Sequence, residues 1–324
     1  MDEQPVNGVL AELRFDLREC WQKLPNKAFF LCLLAAWLAL FQFLGNSTLG
    51  YIHSPSLLSW TLNAYSPIGD YFSSDDGHGV IIPFVVLALF WWKRKELMAL
   101  PLNLWWPGFL LFGLALLLHI AAYMIQQPKL SLIAFFAGVY GLMGLAWGRD
   151  WLRASFFPFF LFAFCVPLGS QGQIITTPMR HLVATVVAAI SHLGLAPDLV
   201  REGTQLFDAQ NSFHYDIAPA CSGIRSLVSL LALTTIFGFI SFKTGWKRAL
   251  MVLVAFPLAV IGNVVRITFT VVVAEAFGQD AGKWVEQKFG FVTFAIAIAC
   301  VLLLEHWLRE DRPRAGGQPE ARTT

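Results

Sequence analysis

A thiol, a hydroxyl, a glycine and an arginine stand together in Asp216-Ile-Ala-Pro-Ala-Cys-Ser-Gly-Ile-Arg-Ser-Leu-Val228, at the mouth of an otherwise apolar segment. The fixed φ of Pro219 suits a first helical position, so the spacing predicts a helix opening there. Cys221 then falls in the first turn, where unpaired backbone N–H groups and the helix dipole favour negative charge. Arg225 follows four residues on, one turn along the same face. A thiol so placed can ionise well below its ordinary range and act as a nucleophile. Ser222 is the other candidate nucleophile, and its hydroxyl would need stronger activation. A free cysteine in an apolar helix can also be mere packing. The arginine one turn away argues against that, because an intramembrane charge is costly and is retained for a reason.

The elements that must position these groups are membrane helices. Of 324 residues, 56% are hydrophobic and 14% charged, with a mean hydropathy of +0.60, a composition outside the soluble globular range. Twelve Trp and 29 Phe fit lipid-facing and interfacial surfaces. A formal charge of +2 gives no reason to expect nucleic acid. The five cysteines show neither metal-ligand nor disulfide spacing. Polar and mixed residues fill 1–27, so no cleavable leader is expected.

Leu10, Leu13, Leu17, Trp21 and Leu24 share one helical face of residues 9–24. They predict an amphipathic helix lying on a membrane surface or packed on the protein's own cytoplasmic face. Apolar runs then place spans at 28–45, 79–92 with its flanks, 104–125, 130–147 and 154–170, followed by 217–240, 249–276 and 289–307. The run 174–196 carries Arg180, His181, Ser191 and His192 and is expected to lie on the outer surface or re-enter without crossing. With both termini inside, sixteen Lys/Arg fall in inner segments and five in outer ones, while Arg225 and Arg266 lie within spans. That bias supports this orientation. Residues 199–216 read as a small outer β-hairpin feeding the Cys221 helix. The expected fold is therefore an all-α polytopic membrane protein of about eight transmembrane helices, with an outer interfacial helix and a small β-hairpin. Its organisation is a cytoplasmic amphipathic segment (1–27), a single transmembrane domain (28–307) and a disordered cytoplasmic tail (308–324).

This topology puts Cys221 near the outer face and brings Arg266, about two thirds along an outward-running span, toward the same level. Asn263, three residues earlier, can share its face. Arg266 could pair with a thiolate or donate to the oxyanion of a tetrahedral intermediate, or it could snorkel and cap carbonyl groups. A nucleophilic cysteine also needs a proton-transfer partner. His214, His78, His181, His192 and Glu286 lie on the outer side, whereas His306 lies at the cytoplasmic end. No H-E-x-x-H, G-x-G-x-x-G or phosphate-cradling loop is present, so neither a metal nor a nucleotide cofactor is expected.

Ala220-Cys-Ser-Gly-Ile-Arg225 followed by Asn263-Val-Val-Arg-Ile267 resembles the exosortase/archaeosortase family of membrane transpeptidases. Gly77-His-Gly79 before a span ending in Lys93-Arg-Lys95, and Gly-Thr-Gln-Leu-Phe before the cysteine, extend the similarity over about residues 70–300. The resemblance implies an integral-membrane cysteine protease that recognises C-terminal sorting signals of exported proteins. Such a signal comprises a short Pro-Glu-Pro-like (PEP-CTERM-like) motif, a transmembrane helix and a basic end. The enzyme cuts beside the motif and transfers the protein to an acceptor, possible acceptors including a lipid or glycan. It implies Cys221 as nucleophile, an essential Arg266, and an active site on the outer face of the cell (inner) membrane. The family usually has a histidine shortly before a Gly-Phe pair. Here the stretch is Trp284-Val-Glu-Gln-Lys-Phe-Gly-Phe291, and Glu286 occupies that place. Glu286 with a pKa raised by burial, or His214, would then be the base. The alternatives are a catalytically altered member serving as an assembly scaffold, and a transporter. A transporter should gather charge at the midplane on broken helices, which this sequence does not.

Overall fold

The computed structural model describes residues 4–66, 74–193, 199–208, 214–216 and 224–309. The chain divides into two compact units, Met1–Gln171 and Gly172–Thr324. The Cys221–Ser222 stretch, Pro219 and the tail beyond Arg309 lie outside the described residues.

In the first unit, α1 (Gln4–Lys23) meets α2 (Lys27–Phe43) at a bend of 96°. Then come α3 (Leu57–Tyr65), a 3₁₀ turn at Gly77–Val80, α4 (Ile82–Met98), α5 (Pro107–Met124), α6 (Pro128–Trp147) and α7 (Arg149–Phe160). α6 is the hub, and three glycines one turn apart explain how. Built Cβ atoms would meet the Trp37 ring of α2 at 2.2 Å from Gly138, the Phe112 backbone of α5 at 2.9 Å from Gly141, and Leu152 of α7 at 2.5 Å from Gly144. Each glycine admits a different neighbour to close packing, the small-residue device of membrane helix contacts. Trp37, Phe41, Leu57, Leu132 and Leu142 fill one core, and Leu97, Met143, Trp147 and Trp151 another.

At one end of this unit a polar knot ties the loops. The Asp76 carboxylate accepts backbone N–H bonds from Leu168 (2.8 Å) and Gly169 (3.0 Å). Lys129 donates to the Leu168 carbonyl (2.6 Å) and to Gln171 (2.9 Å). Tyr65 donates to the Cys165 carbonyl.

The second unit holds α8 (Gln173–Ser191), β1 (Leu199–Glu202), β2 (Gln205–Asp208), β3 (His214–Asp216), α9 (Ile224–Ser241), α10 (Gly245–Phe277) and α11 (Gln279–Leu308). The strands form an antiparallel sheet in the order β1-β2-β3, with Leu199 opposite Asp208 and Leu206 opposite Tyr215. Leu199 and Leu206 drop into a core with Val183, Val187, Ile267 and Val271. α9, α10 and α11 share a second core of Leu227, Leu230, Met251, Ala255, Ala297 and Val301.

The all-helical membrane reading stands. Four described helices are long and apolar enough to cross a bilayer, α5, α6, α10 and α11, or five if the bent α1–α2 pair is one span. Several expected boundaries are corrected. The span expected at 154–170 is a twelve-residue helix followed by a 3₁₀ turn at Leu161–Cys165, because Pro158 inside it and Pro167 beyond it deny the backbone donors a longer helix needs. The expected hairpin carries a third strand. The polar stretch 46–78 contains α3, whose first turn is capped by Ser56 accepting from the Ser59 N–H (3.1 Å). Residues 277–288, expected as a loop, are the end of α10 and the start of α11. The chain reverses at the single residue Gly278, whose φ of +89° only glycine adopts freely.

Candidate functional site

Three helices of the second unit carry the candidate residues, and their register follows from two close approaches. A Cβ built on Gly238 of α9 would lie 3.2 Å from Met251 Cβ and 3.5 Å from the Arg248 backbone of α10. The two helices are antiparallel, so thirteen residues back along α9 the Arg225 position comes level with Asn263. A Cβ on Gly290 of α11 would lie 3.5 Å from Arg266 Nη1, and Phe269 stacks on Phe289 with ring centroids 4.6 Å apart. The first turn of α9, residues 263–266 of α10 and Gly290 of α11 therefore share one level.

That level is a boundary of charge. Residues 226–242 of α9, 249–265 of α10 and 289–304 of α11 carry no charged side chain. They are bounded by Arg225 and Lys243, by Arg248 and Arg266, and by Lys288 and Glu305. At 1.5 Å per residue each stretch is about 25 Å, somewhat less than the roughly 30 Å hydrocarbon core of a typical bilayer. Three packed helices change character at the same two heights. Arg225, Arg266 and Lys288 mark one edge of the apolar slab, well away from its middle.

Asn263 is buried and Arg266 partly buried, three residues apart on α10. Glu286 is partly buried on α11, one turn before Gly290 and on its face. Arg266 thus reaches toward a strip of α11 that holds Gly290 and Glu286. One residue sequence reasoning passed over is Thr270, one turn beyond Arg266. It is 1% exposed, and its hydroxyl has no hydrogen-bond partner among the described residues. Its i+4 spacing from Arg266 was the available signal. Gly290 is the other: it leaves the space the guanidinium fills.

His214 sits on β3 opposite Phe207, in the strand that leads toward the Cys221 stretch. The sheet packs on α10 through Ile267, Val271 and Ala274, so it adjoins the same end of that helix. His306 lies twenty residues beyond Glu286 on α11, about 30 Å along the axis, at the other end of the apolar stretch. His78 belongs to the first unit, where its Nδ1 lies 3.2 Å from the Asp75 carbonyl. Burial pushes its pKa down, with Asp76 pulling the other way. Cys221 and Ser222 lie outside the described residues. No group of three or more His, Cys, Asp or Glu among the described residues could hold a metal.

Residues 70–303 match the family model described as Transmembrane exosortase (Exosortase_EpsH). No curated protein and no solved structure matches the chain.

Proposed function

The chain belongs to the transmembrane exosortase family, and on that premise we propose that it is a membrane cysteine peptidase and transpeptidase acting on C-terminal sorting signals of exported proteins. The observation that carries the reading is the common level of the α9 first turn, Arg266 and the Gly290–Glu286 strip, at the edge of an apolar slab. A substrate whose own transmembrane helix ends at that height would present its adjoining peptide bond there.

In the proposed reaction the Cys221 thiolate attacks the carbonyl carbon of that bond. Arg266 donates to the resulting oxyanion or pairs with the thiolate. The C–N bond breaks, and the leaving amine takes a proton from Glu286 or His214. An acceptor amine or hydroxyl then attacks the thioester, loses its proton to the same base, and expels the Cys221 thiolate, which returns the site to its starting state. Asn263 and Arg225 orient the site, with Ser222 beside the nucleophile.

Eight crossings suit this chemistry. In this proposal the four long helices are joined by α2, α4 and α9 and by the segment that α7 forms with the 3₁₀ turn after it, with α8 at the outer surface. The distribution of Lys and Arg then supports both termini inside the inner membrane and the site outside.

Co-expression with an exported protein ending in a Pro-Glu-Pro-like motif, an apolar helix and a basic end tests the reading. Wild type should remove the helix, Cys221→Ala and Arg266→Ala should not, and the mass of the new C-terminus identifies the acceptor. Unimpaired cleavage by Cys221→Ala would refute the mechanism. Glu286 in the place of the family's usual histidine favours a second reading, an altered member that acts as an assembly scaffold. Cleavage gained only on Glu286→His would support it.

A further inference from the structure

One end of the first unit is built as a membrane interface. The N-terminus of α2, the C-termini of α4 and α6 and the N-termini of α5 and α7 converge there. Trp147 Nε1 donates to the Pro25 carbonyl (3.2 Å), Asn26 to the Ala146 carbonyl (3.1 Å), and Lys93 to the Ala154 carbonyl (2.7 Å). Trp92 and Trp106 are exposed and Trp91 and Trp105 partly exposed at this end, around the buried pair Trp147 and Trp151. Tryptophan concentrates where one part of the ring meets lipid and another meets headgroups.

α1 lies across this end. Its axis turns 96° from that of α2. Since α2 is uncharged from Ala28 onward and runs into the apolar layer, a helix at right angles to it runs in the plane of the membrane. Two contacts hold α1 there. Arg94 of α4 donates through Nε (3.1 Å) and Nη2 to Asp16 Oδ2, and Lys27 donates to the Trp21 carbonyl (2.9 Å) while lying over the Trp21 ring (5.5 Å). Asp16 and Cys20 face α4 and are partly buried. A quarter turn away, Leu17 and Trp21 are each 50% exposed and sit one turn apart. The opposite face carries Glu12, Arg18, Glu19 and Gln22, all exposed, with Phe15 among them as its one large apolar side chain.

We propose that α1 docks in the headgroup layer of anionic phospholipid, with Leu17 and Trp21 dipping into the acyl boundary. The in-plane axis, the surrounding tryptophans and the charge argue together for lipid as the occupant. This end carries nine basic residues (Arg14, Arg18, Lys23, Lys27, Lys93, Arg94, Lys95, Arg149 and Arg153) against five acidic ones (Glu12, Asp16, Glu19, Glu96 and Asp150). Basic residues beside an amphipathic helix strengthen binding to anionic bilayers.

The test uses the full chain in nanodiscs of phosphatidylcholine alone or of equal parts phosphatidylcholine and phosphatidylglycerol. An environment-sensitive fluorescent amino acid is placed in turn at positions 15, 17, 18 and 21. In the anionic discs, emission at 17 and 21 should shift to shorter wavelength and be quenched by lipid brominated near the glycerol. Positions 15 and 18 should stay open to aqueous iodide. Without phosphatidylglycerol, quenching by brominated lipid at 17 and 21 should fall. Iodide quenching at 17 and 21 equal to that at 15 and 18 in anionic discs would overturn the docking, and equal lipid quenching in both discs would overturn its anionic preference. As a second arm, Leu17→Ser changes an exposed side chain that takes no part in the two contacts holding α1. It should abolish the protection that phosphatidylglycerol gives Arg14 and Arg18 against trypsin, and retained protection would refute the proposal.

Discussion

Arg266 Nη1 lies 3.5 Å from where a β-carbon on Gly290 would stand, so the guanidinium occupies space that α11 leaves open by lacking a side chain there. A methyl group fits at that distance in ordinary contact; a branched chain does not. Gly290→Ala should therefore keep sorting-signal processing near wild type. Gly290→Leu should lower it about tenfold or more, the equivalent of about 1.4 kcal/mol in transition-state stabilisation, without preventing membrane insertion. Equal activity of the two variants would show that Arg266 does not depend on that space.

Asp76 holds two backbone N–H groups with one buried carboxylate. Asp76→Ala leaves both donors without their acceptor and should destabilise the first unit by about 3 kcal/mol. Thermal unfolding in detergent, followed by circular dichroism, checks this. An unchanged midpoint would mean that water replaces the carboxylate at no cost.

Burial disfavours the imidazolium of His78 and lowers its pKa below the ordinary 6.5 in the folded protein. The unfolded chain then takes up this proton first as pH falls. The contribution is neutral above 6.5 and increasingly destabilising from there down to the lowered folded value, below which it levels off. Melting midpoints should thus decline with acid in wild type and less steeply in His78→Asn, whose amide can occupy the place of Nδ1. Parallel slopes would exclude His78 as the cause.

At Gly138 a β-carbon would stand 2.2 Å from the Trp37 ring, and that ring is fixed by its indole N–H bond to the Phe135 carbonyl (3.0 Å). Gly138→Ala should cost about 1–3 kcal/mol through overpacking. Gly113→Ala, with nothing within 4 Å, should be neutral or stabilising by about 0.5–1 kcal/mol through helix propensity. Unfolding midpoints of the two variants compare the effects directly.

Long uncharged runs made most helices legible in the sequence, and Arg266 stood out because charge inside such a run is costly. The level it shares with the first turn of α9 also followed from counting residues outward. What could not be read was set by partners distant in sequence. Gly290 looks like any helix glycine until the α10–α11 register brings Arg266 against it. Residues 279–288 carry Asp280, Lys283, Glu286 and Lys288 and so read as a loop. They are helical because nothing after Gly278 breaks the backbone, and charges are tolerated where a helix leaves the bilayer. The third strand was hidden for a similar reason, since three residues give too short an alternation to separate from an extended loop.

The uncharged stretches of α9, α10 and α11 also set a thickness. At about 25 Å they are shorter than the roughly 30 Å core of a typical bilayer, and all three end at the same two heights. Thicker bilayers would draw Arg225 and Arg266 below the acyl boundary, and the mismatch would be relieved by tilting the bundle or thinning the lipid around it. Acyl-chain length thereby becomes a control on the site: processing in nanodiscs should be highest with short-chain lipids and fall as the chains lengthen.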